Sequence, residues 1–308
     1  MHARLRSDMA PVQPSATRSL RVWLMATRPW SFTASALSVL VVLSYLEWSV
    51  GSINLLYGGW AIGAIILFHA AGNTWSDYID YRCGVDAADT HGTDTLTGGR
   101  FSPTEIRNLS WGLYAAAIVS GLGLTLCTGW PVLAIGLLGF LCALLYPPLK
   151  YRAWGDVVIL LAYCLLPAMG VSYVAIGRVE PAVLWVALPV GLLVNAILHA
   201  NNTRDMHTDR RAQVRTLAQL LGVRGSVALY LFGVLTPFLW VVALIPFGLL
   251  PAGAALLLLL LPMALHYGRT MTTYRSEADA AAIATLDQLT ARLQLLFSVG
   301  LVLILLLS

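Results

Sequence analysis

Long apolar stretches recur along this chain of 308 residues, each broken off by a short polar one. Nine of them have, or nearly have, the length that a membrane-crossing helix needs, at about 20 residues. They run over 28–47, 57–80, 108–128, 131–147, 155–176, 182–204, 225–245, 248–267 and 288–307. Prolines inside the runs (Pro167, Pro189, Pro237) suit membrane helices, where neighbouring groups satisfy the freed backbone. The pattern predicts an all-α integral membrane protein with nine transmembrane helices, one domain over 19–308. Residues 1–18, with Pro11, Pro14 and scattered charges, read as a disordered cytoplasmic tail. They lack the apolar core and cleavage site of a signal peptide.

Charge supports this count. Only 11% of the residues are charged and 58% are hydrophobic, whereas soluble domains carry about 25% charge. Of the 19 basic residues, all but Arg178 fall on one side of a nine-span topology. The positive-inside rule makes that side cytoplasmic, with the N-terminus inside. The location expected is a cell membrane, a bacterial inner membrane, with a cytoplasmic active site. Spread this way, the net charge of +4 marks topology and excludes a nucleic-acid partner. Cys83, Cys127, Cys142 and Cys164 lack metal-ligand spacing and read as small packing residues.

Two polar stretches stand out at the inner ends of the second and sixth runs. The first holds Asn73, Asp77 and Asp80, followed by Gly84 and Asp86; the second holds Asn201, Asn202, Arg204, Asp205 and Asp209. Residues at i, i+4 and i+7 of a helix share a face; Asn73, Asp77 and Asp80 obey that spacing and Asn201, Asp205 and Asp209 nearly do, at i, i+4 and i+8, so each end can present several hard oxygen ligands to one point. Carboxylates within membrane segments are costly and mark function by default. Mg²⁺ binds through one or two carboxylates plus substrate phosphates, so two facing motifs fit a two-metal clamp on a diphosphate. Ion pairs with Arg82, Arg204 and Arg210 would explain one such cluster as a surface feature, but explain poorly a second at the equivalent helix end. Asp77, Asp80, Asp205 and Asp209 are the expected catalytic and metal-binding residues. Asn73 and Asp86 are further ligands, and Lys150, Arg204, Arg152, Asn73 and Asn202 the expected diphosphate contacts. Arg28 reads as a juxtamembrane topology marker. His69 and His266 receive no role, and His199 and His207 read as core or interfacial. Tyr78 and Tyr146 are expected near the site, and Gly59-x-x-x-Gly63 reads as a helix-packing motif.

On these residues the chain resembles the UbiA superfamily of membrane prenyltransferases, which carries acidic motifs after its second and sixth helices. Asn201-Asn-Thr-Arg-Asp205-Met-His-Thr-Asp209-Arg-Arg, Thr216-Leu217-Ala218 and Leu221-Gly222 look like the 1,4-dihydroxy-2-naphthoate polyprenyltransferase branch of menaquinone synthesis. Asp80-Tyr-Arg-Cys-Gly84-Val-Asp86, Leu149-Lys150-Tyr-Arg-x-x-Gly155-Asp156 and Thr290-Ala-Arg-Leu-x-Leu-Leu-Phe297 extend the resemblance. Two positions depart from the pattern. Ser76 stands where the family usually has asparagine, and Gln213-Val214 replaces a common Gly-Lys.

The resemblance implies a nine-helix UbiA-type bundle. It also implies Mg²⁺-dependent transfer of a polyprenyl group from its diphosphate to an aromatic acceptor, giving demethylmenaquinone. The helix bundle would shield the allylic cation from water while the head groups stay at the cytoplasmic face. Rival acceptors are 4-hydroxybenzoate, homogentisate and a sugar phosphate, and a terpene cyclase would need none. A transporter also carries intramembrane carboxylates, but usually near the midplane on broken helices.

Overall fold

A computed structural model describes residues 18–86 and 94–308. Of the expected tail, 1–17 lie outside the described residues. Among those described, nine helices are long and apolar enough to cross a membrane. They are α1 Pro29–Val50, α2 Leu55–Cys83, α3 Pro103–Thr128, α4 Trp130–Lys150, α5 Gly155–Ile176, α6 Ala182–Arg204, α7 Leu217–Leu244, α8 Ala252–Thr272 and α9 Leu286–Leu307. Short helices at Leu20–Ala26, Asp94–Thr97, Met206–Arg211 and Glu277–Ile283 lie between or before them.

The helix ends obey local chemistry. Ser102 and Glu105 form a reciprocal capping box with Pro103 inside it, so α3 starts five residues before its apolar run. At the other end of α2, Gly84 takes a left-handed φ of 73°. Val85 N–H then reaches the Asp80 carbonyl at 2.8 Å, closing the helix immediately after its acidic motif. Helix α7 begins at Leu217, ahead of the run at 225, and Gly222 (φ 66°) interrupts it. Arg224 had masked that opening turn in the hydrophobic pattern.

The nine helices are packed unevenly. Helix α6 lies against α1, α5, α7 and α9, and 56% of its apolar window is buried, against 11% for α4. Most of the buried core comes from α1, α6, α7 and α9. Helices α2 to α5 instead surround a hollow. Close approaches use small residues: a Cβ on Gly191 would meet Cys164 at 2.5 Å, and one on Gly58 would meet Leu43 at 2.8 Å. The Gly59-x-x-x-Gly63 expectation is corrected here. A Cβ on either glycine meets nothing within 4 Å, because both lie on the outer side of α2, and the neighbouring Gly58 makes the contact.

Candidate active site

A cavity of about 510 Å³ runs between α2, α3, α4, α5 and α6. Its wall includes both Ala61 and Asp80 of α2, a distance of about 28 Å along the helix at 1.5 Å per residue. At one end it is polar, lined by Arg28, Asn73, Ser76, Asp80, Lys150, Asn201, Asn202, Asp205 and Asp209. Most of the remaining wall is apolar and rich in small residues, including Gly121, Gly136, Gly139 and Gly170. The two acidic stretches, more than a hundred residues apart in the chain, thus open on one space.

Each carboxylate of the first motif has a partner from a distant element. Lys150 Nζ, at the end of α4, lies 3.6 Å from Asp80 Oδ2. Tyr151 OH donates to Asp80 Oδ1, and Ser76 donates at 3.4 Å. Burial and the adjacent Asp80 charge push the Tyr151 hydroxyl up, so it stays a donor. Arg28, from the turn before α1, bonds the buried Asp77. Arg28 is therefore more than a topology marker. It occupies a left-handed conformation (φ 57°, ψ 60°) and its side chain reaches the cavity.

The second motif is held differently. Arg204 Nε and Nη2 grip Asp205 at 2.8 and 2.9 Å. Nη1 reaches the Ala284 carbonyl at 3.1 Å and Asp287 at 3.2 Å, and Nη2 also bonds Asn201. An arginine has five N–H donors, and these contacts use them all. The expectation that Arg204 binds phosphate is corrected: its guanidinium fastens α6 to the start of α9. Arg152 is corrected too. It is exposed in the α4–α5 connection, bridged through its backbone to Arg215 and absent from the cavity wall.

The remaining carboxylates, Asp86 and Asp209, sense the charges around them. Burial, reinforced by the charges of Asp80 and Asp77, pushes Asp86 up to about 7. Burial, with the charges of Asp205 and Asp80 outweighing the opposing pull of Lys150, pushes Asp209 up to about 7. Among the described residues no three His, Cys, Asp or Glu side chains gather into a ready metal cage. Arginine and lysine hold the carboxylates instead. The oxygen-only donor set still suits Mg²⁺, which needs one or two carboxylates from the protein and completes its shell with phosphate and water. Asp77 and Asp86 do not line the cavity, whereas Asp80, Asp205, Asp209, Asn73 and Asn202 do.

Several wall residues escaped the sequence pattern. His69 and Ser35 line the cavity, as does Tyr163. Tyr163 sits in a π-helical stretch, Leu161–Leu165. Pro167 lacks the N–H that would bond back to the Tyr163 carbonyl, which was the one available signal. Tyr146 lines the wall as expected. Tyr78 does not, packing beside Leu96 and Phe101. His199 is buried, 3.0 Å from Asp156. The Gln213 that departs from the usual glycine holds φ 59°, the backbone region that glycine occupies without strain.

The UbiA prenyltransferase family profile matches residues 23–300. UbiA prenyltransferase domain-containing protein 1 of Danio rerio is 32% identical over 280 residues, 89% of this chain and 80% of that protein. The Mus musculus protein of the same name is 33% identical over 282 residues, again 89% and 80%. Among solved structures, a UbiA homolog from Aeropyrum pernix K1 superposes with a TM-score of 0.65 at 15% identity, covering 89% of this chain and 97% of that one. A UbiA homolog from Archaeoglobus fulgidus, bound to GPP and Mg2+, gives 0.61 at 13% identity, covering 91% and 99%. The fold, the one-ended polar cavity and these matches agree: the chain belongs to the UbiA prenyltransferase family and is a multi-pass membrane prenyltransferase.

Proposed function

We propose that this protein transfers a polyprenyl group from its diphosphate to 1,4-dihydroxy-2-naphthoate, in the manner of the menaquinone branch. One observation carries the reading: both acidic motifs border the polar end of a single long apolar cavity. A diphosphate and a prenyl tail have that same division into charged head and oily length. The tail lies along α2 to α5, and the diphosphate lies among Asp80, Asp205, Asp209, Lys150 and Arg28. Asp80, Asp205 and Asp209, with Asn202, are the residues that would hold Mg²⁺, which neutralises charge growing on the leaving diphosphate. Asp77 and Asp86 act from behind this wall through Arg28 and through the local field.

Lys150 and Arg28 add fixed positive charge where the leaving group becomes more negative, and their cost of alignment is met during folding. Aromatic and aliphatic walls keep water from the allylic centre, which suppresses hydrolysis. The polar end faces the cytoplasm of a bacterial inner membrane.

The test supplies purified protein in lipid nanodiscs with a polyprenyl diphosphate, Mg²⁺ and one acceptor at a time. Prenylated naphthoquinol, identified by mass spectrometry, is the expected product. Turnover only with 4-hydroxybenzoate or homogentisate would replace the acceptor while keeping the reaction. Movement of substrate into vesicles without any product would overturn the reading.

A further inference from the structure

Ser31, His69 and Asn73 belong to none of the ion pairs, yet they converge on the turn that aims Arg28. Asn73 Nδ2 donates to the Thr27 carbonyl at 3.0 Å and to Ser31 Oγ at 3.0 Å. A carbonyl only accepts, so the orientation of the amide is fixed and both its N–H groups are used. Ser31 donates its single hydroxyl proton to the Arg28 carbonyl at 2.8 Å. Only lone pairs of Ser31 then remain for His69 Nε2, at 3.2 Å. Nε2 therefore carries the ring proton and donates. Nδ1 is left as acceptor, and Ser35 gives its single hydroxyl proton to Nδ1 at 2.9 Å rather than to the Phe32 carbonyl at 3.1 Å. The Tyr163 ring stands edge-on to the imidazole, with centroids 4.9 Å apart.

The turn so held is one that the chain would otherwise leave. Arg28 sits at φ 57° with a Cβ, and it precedes Pro29, which favours extended backbone at the preceding residue. Relaxation to that extended form would swing the guanidinium away from Asp77. Ser31 bonds the Arg28 carbonyl itself, and Asn73 bonds the carbonyl just before it. Ser31 of α1, itself held by His69 and Asn73 of α2, and Asn73 directly therefore grip both sides of the strained residue.

We propose that Ser31, His69 and Asn73 are positioning residues. They lock the Thr27–Pro29 turn in the conformation that delivers the Arg28 guanidinium to the polar end of the cavity. Asn73 thereby serves the turn through its amide nitrogen, from within the cavity wall. The inference rests on the reading of that end as the diphosphate site.

The test measures binding of inorganic pyrophosphate to detergent-solubilised full-length protein in magnesium buffer by titration calorimetry. Variants are Arg28→Ala, His69→Asn, His69→Gln and the Arg28→Ala/His69→Asn double. A glutamine amide falls near the Nε2 position and keeps the donor to Ser31, whereas asparagine reaches only the Nδ1 position. Arg28→Ala is expected to weaken binding about 30-fold and His69→Asn about tenfold, with His69→Gln within about threefold of the parent. The double variant should bind within about twofold of Arg28→Ala, because nothing is left to aim. A double variant weakened by the full product of the single losses, or His69→Gln as damaging as His69→Asn, overturns the clamp. Should His69→Asn fail to elute as folded protein, Ser31→Ala takes its place in the same cycle. A parent protein that binds no pyrophosphate removes the diphosphate reading and the clamp with it, a result distinct from an additive cycle.

Discussion

The ends of α2 and α6 carry similar strings of asparagine and aspartate, yet the tertiary structure uses them differently. The carboxylates of α2 meet partners from other parts of the bundle: Arg28 from before α1, Lys150 from α4 and Tyr151 beyond it. On α6, Asp205 is gripped by the adjacent Arg204, whose remaining donors are tied to Asn201 and to the start of α9. The first motif is wired into the cavity wall, and the second is bolted to the packed half of the molecule. Similar sequence spacing, i+4 and i+7 on α2 and i+4 and i+8 on α6, therefore conceals unequal work.

The contrast breaks most visibly at Asp80. Asp80→Asn keeps the shape but removes the charge facing Lys150, and a loss of about a thousandfold in kcat/KM is expected with the unfolding midpoint nearly unchanged. Steady-state assay beside thermal unfolding checks both halves, and full activity would refute the role of the first motif. Arg204→Met should do the reverse. It leaves Asp205, Asp287 and the Ala284 carbonyl without their partner in a buried setting, a cost of about 3–5 kcal/mol in stability. Denaturation in detergent reads that loss, and an unaltered midpoint would show that the bolt is idle.

A smaller effect is expected at Lys150. Lys150→Met should raise KM for the prenyl diphosphate about 10- to 100-fold, because one charge-assisted contact is lost. KM for the acceptor should move far less. Smaller again is the pH effect. Asp86 and Asp209 hold protons up to about 7, against the 3.8 of an ordinary aspartate. Between those limits the folded state binds protons that the unfolded chain has released. Metal-free protein should thus lose stability as pH rises from about 4 to 7 and level off above. Mg²⁺ affinity should rise over the upper part of that interval, since protons compete for the same oxygens. Unfolding and metal titrations at pH 5.5 and 8 test the two trends, and flat profiles would contradict the shifted carboxylates. The gentlest change is Gly136→Leu in the apolar wall, where an added Cβ meets nothing within 4 Å. It should shorten the preferred prenyl chain without altering pyrophosphate binding at either motif, as read from product tails by mass spectrometry.

Much of this was legible in the chain itself. The apolar runs placed all nine spans, because a lipid-facing helix must be apolar along its length whatever it packs against. The acidic motifs were legible for the complementary reason: carboxylates stand out where the surroundings are oily. Helix starts were missed where charge lay inside a span, as at Glu105 and Arg224. Partnership was not legible at all. Nothing in the spacing of Arg204 says that its donors go to Asn201, Asp205, Ala284 and Asp287. Nothing around His69 says that its ring closes a network with Ser31 and Ser35.

The sequence by itself determined the class of protein, the nine membrane-length helices found among the described residues and the two acidic clusters at their ends, since each depends on transfer between water and lipid residue by residue. Only the tertiary structure decided which cations meet which carboxylates, why Arg28 points inward, and that the hollow lies among α2 to α5. Those facts depend on distances between helices far apart in the chain. Hydrogen bonds and ion pairs act over a few ångströms, so their outcome is fixed only once packing has brought the partners together.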